Sequence, residues 1–432
     1  MLSLAVSLLG ACDNGGSSGE RGSNPNSPIP EVAVDTFPYV AEATYAPALK
    51  PCVYQGANTQ ECTLQRLPFL GQENAAPDID AIMQRVLVSH RWMGENFRSV
   101  LVTLPDDLLL MLRSVTAVVI ASDIRPSYFR SDTGAIYLDA DYVWLTAAQQ
   151  AEISQEEDFR SGFGSALQVA LPWRFVQNDS SVRLRPAANT DGSRSVDSLR
   201  IPLAFLLYHE LAHAVDSMHP SRFDSLESSR SASYYARFAN ELKSTTLTEL
   251  FPLQSTLMRN LAAVSFAGEE ATASQRALQP PTVSEAFTPD GAITYYGYST
   301  IREDLATVFD TLMMSYHFGI EEEVAVTNNP GPEASASDYI VYSGQRGRLS
   351  DPALIERAAW VANEIYPGVA SDIEAHLRNL PAPRLLRQDS AFGSNQFRDS
   401  SFSNVDKNGT EKFTTSLVDE AINTLPVCGT NL

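Results

Sequence analysis

The apolar residues in the first half of the chain fall into short runs separated by turn residues. Residues 116–122 form a β-branched run that predicts a buried strand, and residues 135–144 and 168–177 have strand composition. Two earlier segments, residues 77–100 and 104–113, carry apolar residues at helical spacing. The first half is therefore expected to form a small sheet with helices packed against it.

The second half of the chain shows mainly helical spacing. Helices are predicted there over residues 198–217, 232–243, 255–266, 301–316 and 352–365. Residues 280–294 are expected to form a loop, the run Glu321–Glu323 a solvated surface, and the Ser/Asn-rich tail after residue 381 an irregular segment. Because strands come early and helices late, the pattern favours an α+β fold, with a small N-terminal sheet region and a mostly helical body.

Length and composition indicate one large globular region behind a short leader. The chain has 432 residues, of which 44% are hydrophobic, and this is enough for a large core. Residues 1–11 are predicted as a signal peptide, residues 12–45 as a flexible tether, and residues 46–432 as the globular domain. Within that domain, residues 46–195 could form a sheet-containing part and residues 196–380 a helical part with the candidate site.

The leader ends in Leu9-Gly10-Ala11-Cys12, which resembles the lipobox of bacterial lipoproteins. Its apolar run is too short to span a bilayer, and small residues precede the cysteine. No Lys or Arg precedes the run, so the alternative is a buried strand with an ordinary cysteine. The resemblance implies cleavage before Cys12, a lipid on its thiol, and attachment to a membrane of the bacterial cell envelope.

Three further cysteines bear on the same question. Cys52 and Cys62 flank a turn that contains Gly and Asn, so a short-loop disulfide between them would suit an exported protein. Cys428 is then left over, and the other two pairings stay open.

The charge of the chain bears on its partners. The formal net charge is −21, and the sequence contains no cluster of Lys and Arg residues. Because nucleic acid is bound through such clusters, it is not expected as a partner.

The segment Tyr208-His209-Glu210-Leu211-Ala212-His213-Ala214-Val215-Asp216 contains the pattern HExxH. On a helix, two histidines four residues apart lie about 40° apart, so both imidazoles can bind one metal ion. Glu210 lies next to the first histidine, where it can act as a base on a water molecule at that ion. The pattern predicts a zinc site that leaves a position open for water.

HExxH needs a third protein ligand, and three candidates follow it in the sequence. Glu303 lies on the helix predicted over residues 301–316, on a polar stripe with Thr307 and Asp310. His219 stands six residues after His213, the spacing of the metzincins, although Asp216 occupies the position where they have Gly.

The third candidate is Glu269 or Glu270, on a later segment with a weaker apolar pattern. This arrangement resembles a second type of gluzincin, in which the ligand is a glutamate on a later helix.

At residue 303 the chain resembles the gluzincin peptidases, and among them the anthrax-lethal-factor type. In that type a HExxHAVD helix is followed by Tyr-Gly, by a glutamate ligand seven residues after the Tyr, and by an Ala three residues further on. The sequence HELAHAVD matches the helix, and Tyr296, Gly297, Glu303 and Ala306 match the second segment. The resemblance covers about 25 residues and implies a zincin-like fold, Glu303 as the third ligand and Tyr296 as the phenol that stabilises the tetrahedral intermediate.

Other polar residues near the motif have open roles. Asp216 could hold a ligand imidazole by its outer N–H or cap a backbone group at the end of its own helix. The family usually has a second acidic residue four positions after the ligand, where this chain has Thr307. Tyr298 competes with Tyr296 as the catalytic phenol.

Several residues outside the motif are assigned by their surroundings. His90, His317 and His376 are expected to be structural. Residues 135–144 are a candidate for the strand at the edge of a substrate cleft.

These observations predict a zinc metallopeptidase that cleaves peptides or proteins of the cell envelope, with Glu210 as general base. Two alternatives remain. One is a zinc hydrolase of non-peptide envelope material, because HExxH does not specify the bond that is cut. The other is a binding lipoprotein on an inactive peptidase scaffold, which would not need Glu210.

Overall fold

The computed structural model describes residues 35–54, 62–184, 186, 188–237, 242–331 and 334–394. The predicted leader, the lipidation site at Cys12, most of the tether and Cys428 lie outside the described residues. Within the described part, no helix is both long and apolar enough to cross a membrane. The fold is mixed, with helices packed around two small sheets.

The first sheet forms early in the chain, as the apolar runs predict. Its strands are β1 (Phe37–Pro38), β2 (Val86–Val88), β3 (Ala117–Ala121), β4 (Tyr128–Arg130) and β5 (Ala135–Asp139), in the order β1-β2-β3-β5-β4. The three central strands β2, β3 and β5 run parallel, and the outer two pair antiparallel. Every residue of β3 is buried, because helices cover both faces of a parallel sheet.

The position of β5 in this sheet excludes one expected role. β5 is hydrogen-bonded to β3 on one side and to β4 on the other. It ends at Asp139 and is followed by a 3₁₀ turn over Ala140–Tyr142. The prediction that residues 135–144 form a cleft-edge strand is therefore wrong, since β4 is the edge strand on this side.

The second sheet joins strands from both halves of the chain. Its strands are β6 (Val169–Ala170), β7 (Trp173–Gln177), β8 (Ser180–Val182), β9 (Glu321–Asn328), β10 (Val341–Arg346) and β11 (Arg384–Leu385), all paired antiparallel. Their order is β11-β10-β9-β7-β8, and β6 also pairs with β9. The expectation that strands come only early is thus wrong.

The run of three glutamates at the start of β9 suggests a solvated surface, but the structure buries two of them. Glu322 and Glu323 are 2% and 0% exposed. Glu323 accepts hydrogen bonds of 2.6 Å from the Nε atoms of Arg174 and Arg346, which neutralise it inside the protein. The buried arginine partners, far away in sequence, allow an acidic run to form a strand.

Helices make up most of the remaining fold. They are α1 (Ala46–Tyr54), α2 (Leu70–Glu73), α3 (Ile79–Met83), α4 (Arg91–Leu101), α5 (Asp106–Met111), α6 (Ala147–Gln150), α7 (Val196–Ser217), α8 (Ala232–Ala236), α9 (Lys243–Leu250), α10 (Thr256–Phe266), α11 (Ala273–Arg276), α12 (Pro280–Phe287), α13 (Ile301–Phe318), α14 (Pro352–Ile365) and α15 (Ala370–Asn379). The helices predicted over residues 198–217, 255–266, 301–316 and 352–365 are confirmed.

Three predicted elements differ from the structure. The helix expected over residues 77–100 is α3, strand β2 and α4, because the apolar run Val86–Val88 pairs in the first sheet. The loop expected over residues 280–294 begins with α12, whose prolines occupy its first turn, where a missing N–H is harmless. The helix expected over residues 232–243 is shorter in the structure. It is α8, which ends at Ala236, and the next helix, α9, begins at Lys243.

Helix α7 is the central element of the fold. Ser195 caps its N-terminus, and every residue from 202 to 216 is buried. A helix that is buried all round needs an apolar surface all round, and Leu203–Leu207 supplies most of it. Helix α13 packs along α7, which brings the polar stripe of α13 against the HExxH segment.

The core continues across the two parts that the sequence suggests. The largest apolar cluster contains residues from Leu70 to Leu377. The division near residue 195 stays a prediction. Cys52 and Cys62 form the expected disulfide, with their Cα atoms 5.4 Å apart.

Candidate metal centre

Three buried side chains meet between α7 and α13. The Nε2 atom of His209 lies 3.0 Å from Oε2 of Glu303 and 3.2 Å from Nε2 of His213, and the distance from His213 Nε2 to Glu303 Oε2 is 3.3 Å. All three side chains are at most 3% exposed. Among the described residues, this is the one group of His, Cys, Asp and Glu whose ligand atoms are close enough to hold a metal ion.

The triangle of ligand atoms fits a metal ion of ordinary size. A tetrahedral ion with bonds of about 2.0–2.1 Å holds its ligand atoms about 3.3 Å apart, close to the three observed distances. The second carboxylate oxygen of Glu303, Oε1, is also buried and has no hydrogen-bond partner among the described residues. Buried polar atoms without partners are costly, and a bound cation at the triangle would offset this cost.

Local sequence explains why Glu303 faces the histidines. Thr300 caps α13 and accepts a hydrogen bond of 3.1 Å from the backbone N–H of Glu303, so the glutamate lies in the first helical turn. The next residue, Asp304, forms a buried ion pair with Arg357 of α14. This pair fixes the start of α13 against its neighbour.

The electrostatics of the triangle favour an ionised Glu303. Burial alone would raise the pKa of the Glu303 carboxyl. The charges and hydrogen bonds of His213 and His209 outweigh burial and lower this pKa to about 2. The group therefore offers a carboxylate and two imidazoles.

Asp310 supports one of the two imidazoles. Its Oδ2 atom lies 2.7 Å from Nδ1 of His209, and its Oδ1 atom accepts a hydrogen bond of 3.0 Å from the Thr311 hydroxyl. Burial raises the pKa of Asp310, and the hydrogen bond from His209 opposes that rise. A carboxylate in this position directs the other nitrogen of His209 toward the metal site.

Asp310, and not the residue four positions after Glu303, is the acidic residue of α13 that contacts His209. Thr307 instead donates its hydroxyl to the backbone carbonyl of Glu303. The polar stripe of Glu303, Thr307 and Asp310 was the sequence signal for this contact. The spacing of seven residues, two helical turns, keeps Asp310 on the face of Glu303.

Asp216, the other candidate for an imidazole partner, points elsewhere. Its carboxylate accepts hydrogen bonds of 2.9 and 2.7 Å from the backbone N–H and the hydroxyl of Ser244. Ser244 lies in the first turn of α9, so Asp216 caps a backbone group of that helix. Asp216 therefore caps α9 and not the end of its own helix, where the sequence placed the expected cap.

The substitution Asp310→Asn is expected to weaken metal binding about 10- to 100-fold, the usual cost of losing such an outer partner. The amide keeps the shape of the side chain but removes the charge that orients and polarises His209. Competition with a chromophoric chelator measures the affinity.

The matched control is Asp216→Asn, a change of the same kind on the histidine helix. It should lower thermal stability through the Ser244 contact and leave metal affinity within about twofold. Equal losses of affinity in the two variants would refute the assignment of Asp310.

The other candidate ligands lie outside the group. His219 begins the 3₁₀ turn Pro220–Ser225, and its Nδ1 atom accepts a hydrogen bond from the backbone N–H of Ser221. Glu269 and Glu270 are exposed, and Glu270 pairs with Arg276 on the surface. The structure brings none of these three residues into the metal-binding group.

The remaining histidines have partners of their own. His317 lies 2.6 Å from an Asp107 carboxylate oxygen, and His376 lies 2.9 Å from the Ser315 hydroxyl. His90 lies 3.0 Å from the Ser89 hydroxyl. These contacts agree with the structural roles expected for the three residues.

The two tyrosines have different surroundings. Tyr296 lies in the 3₁₀ turn Tyr295–Tyr298, with its ring centroid 6.2 Å from that of His209 and the planes 25° apart. Phe266 also packs against Tyr296, with the ring centroids 5.0 Å apart and the planes 72° apart. Burial and the nearby Asp290 carboxylate raise the pKa of the Tyr298 phenol.

A small cavity lies beside His209. It measures about 10 Å³, which is room for one water molecule. The residues that line it are Trp173, Phe205, His209, Thr294, Tyr296, Thr307, Asp310 and Thr311. Tyr296 therefore lines the cavity, whereas Tyr298 is not among its lining residues.

Comparison of the chain with protein-family models, with curated proteins and with solved structures finds no match.

Proposed function

We propose that this protein is a zinc-dependent hydrolase, and that it cleaves peptide bonds. The observation that carries the proposal is the triangle of His209, His213 and Glu303, whose ligand atoms are 3.0–3.3 Å apart inside the protein. Two imidazoles and one carboxylate are a ligand set typical of catalytic zinc, which keeps a position open for water. The resemblance of two segments to gluzincin peptidases supports the choice of bond.

The proposed mechanism assigns a separate task to each side chain. A zinc ion held by His209, His213 and Glu303 would supply Lewis acidity toward a carbonyl group and a water molecule. The Glu210 carboxylate accepts a proton from the attacking water and later delivers it to the leaving amine. The Tyr296 phenol donates a hydrogen bond to the oxygen on which negative charge develops. Asp310 holds the Nδ1 proton of His209 and so fixes the orientation of the ring.

A second candidate function is favoured by the size of the cavity. A space of about 10 Å³ beside His209 is too small for a peptide in this conformation. A compact non-peptide substrate would require a smaller opening than an extended peptide. Hydrolysis of small molecules from the cell envelope is therefore the alternative to test.

The proposed location of the enzyme, at a membrane of the cell envelope, depends on the predicted leader. A lipid on Cys12 would hold the enzyme at a membrane of the bacterial cell envelope, and its substrates would be peptides or proteins there. The disulfide between Cys52 and Cys62 fits an oxidising compartment outside the cytoplasm.

The proposal is tested by removing and restoring the metal. The purified protein is incubated for a long period with a strong chelator, and then assayed on an unfolded protein and on a panel of small esters and amides. Hydrolysis should stop with loss of about one zinc per chain and return with added zinc.

A chain that holds no metal after incubation with zinc would refute the proposal. Metal-dependent cleavage of only the small substrates would favour the second candidate.

A further inference from the structure

Glu322 is a buried carboxyl group without a hydrogen-bond partner among the described residues. It lies near the start of β9, is 2% exposed, and neither of its carboxyl oxygens has such a partner. An ionised carboxylate in this environment would be very costly. Burial raises the pKa of Glu322 to about 8; Arg348 opposes that rise and the charges of Asp310 and Glu323 add to it, so the neutral form predominates at pH 7.

Two charged residues near Glu322, Arg348 and Glu323, form their hydrogen bonds and ion pairs with other groups. The guanidinium group of Arg348 donates hydrogen bonds to the carbonyl oxygens of Asp290 and Ala292. Glu323, the next residue, is held by Arg174 and Arg346. None of these contacts satisfies the Glu322 carboxyl.

Glu322 lines a second small cavity, about 10 Å³ in volume, which has room for one water molecule. The walls include Thr311, Ser315, Glu321 and Arg348, and the Ser315 hydroxyl is also close to His376. Thr311 lines both this cavity and the cavity beside His209. The residue is therefore the shared wall between Glu322 and the metal centre.

The hydrogen bonds beyond Thr311 lead directly to a metal ligand. The Thr311 hydroxyl donates to Asp310, and Asp310 holds Nδ1 of His209. A neutral Glu322 can donate its proton to a water molecule in the cavity, which can donate to the Thr311 hydroxyl. Each donor in such a chain strengthens the next, and the chain as a whole supports a negatively charged Asp310.

We propose that Glu322 is a positioning residue for the metal centre, acting on His209 through a water molecule, Thr311 and Asp310. This inference rests on the proposed zinc site but not on the bond that the enzyme cleaves. Glu322 is not a member of the candidate metal-binding group. Its contribution is to the strength with which His209 binds the metal.

The test measures zinc affinity at pH 7 by competition with a chromophoric chelator. Glu322→Leu removes the donor and is expected to weaken zinc binding about tenfold, within the range for outer partners of metal ligands. Glu322→Gln is neutral and keeps a donor, so its affinity should stay within about twofold of the unmodified protein. Glu321→Gln, on the rim of the same cavity, is the control and should not change the affinity.

A double substitution separates a relay from a general effect on structure. If Glu322 acts through Asp310, Glu322→Leu should weaken binding no further in a protein that already carries Asp310→Asn. Thermal unfolding of the metal-free variants shows whether folding is changed. Unchanged affinity in Glu322→Leu, or a full additional loss in the double variant, would overturn the proposal.

The outcomes also separate this inference from the proposed function. If zinc binds and no substrate is hydrolysed, the function fails while the affinities still decide the role of Glu322. If zinc does not bind to the unmodified protein, both fail together.

Discussion

Replacement of Glu210 by Gln should abolish hydrolysis and leave the metal in place. Glu210 is fully buried on α7, next to the ligand His209, and is not itself a member of the triangle. Gln has the same shape but cannot accept a proton, so the water loses its base. Loss of a general base typically lowers the rate about 10²- to 10⁴-fold.

The experiment requires two measurements on the same sample. Zinc content by elemental analysis should remain near one per chain, while turnover of the substrate found in the chelator experiment falls. Glu249→Gln, an exposed glutamate on α9, is the control and should match the unmodified protein. Full activity in Glu210→Gln would exclude the proposed mechanism, even if the metal is bound.

Replacement of Glu303 by Gln should remove most of the metal. An amide is a poor metal ligand compared with a carboxylate. Loss of the Glu303 carboxylate would therefore leave two imidazoles to hold the ion. The reduction in affinity should exceed the roughly 10- to 100-fold expected for changes in outer partners. Zinc content after gel filtration measures this loss, and the change should be larger than in Asp310→Asn.

The control for Glu303→Gln is a substitution of His219, the residue that would be the third ligand if the site had metzincin spacing. His219→Ala should retain about one zinc per chain, because His219 caps a 3₁₀ turn outside the triangle. Retention of zinc by Glu303→Gln together with its loss from His219→Ala would reverse the assignment. Loss in both variants would indicate that the site rearranges.

The metal-binding group could be predicted because its geometry is mostly local. His209 and His213 are four residues apart on one helix, and helical periodicity alone places them together. Glu303 lies 94 residues after His209, and its place on a polar helical stripe and the resemblance to a known family indicated it. Asp310 was visible as part of a polar stripe, but its contact with His209 requires the packing of α13 on α7.

Contacts between distant segments account for most of what the sequence did not indicate. The Glu321–Glu323 run looks solvated until Arg174, 149 residues before Glu323, is placed beside it. Asp216 lies on the histidine face of α7, yet its partner Ser244 comes from a separate helix. Such pairs depend on the order of strands and helices in space, which periodicity does not specify.

The burial of α7 from residue 202 to residue 216 has a consequence for how a metal ion could reach the candidate site. The ligands lie in the interior, and the space beside His209 accommodates about one water molecule. A hydrated ion is much larger than this space, so an ion that enters the folded protein would need a transient opening of the structure around the site. The lifetime of the loaded state is then governed by the rate of opening rather than by affinity alone. Slow opening would therefore keep a bound ion in the site even where the free metal is scarce.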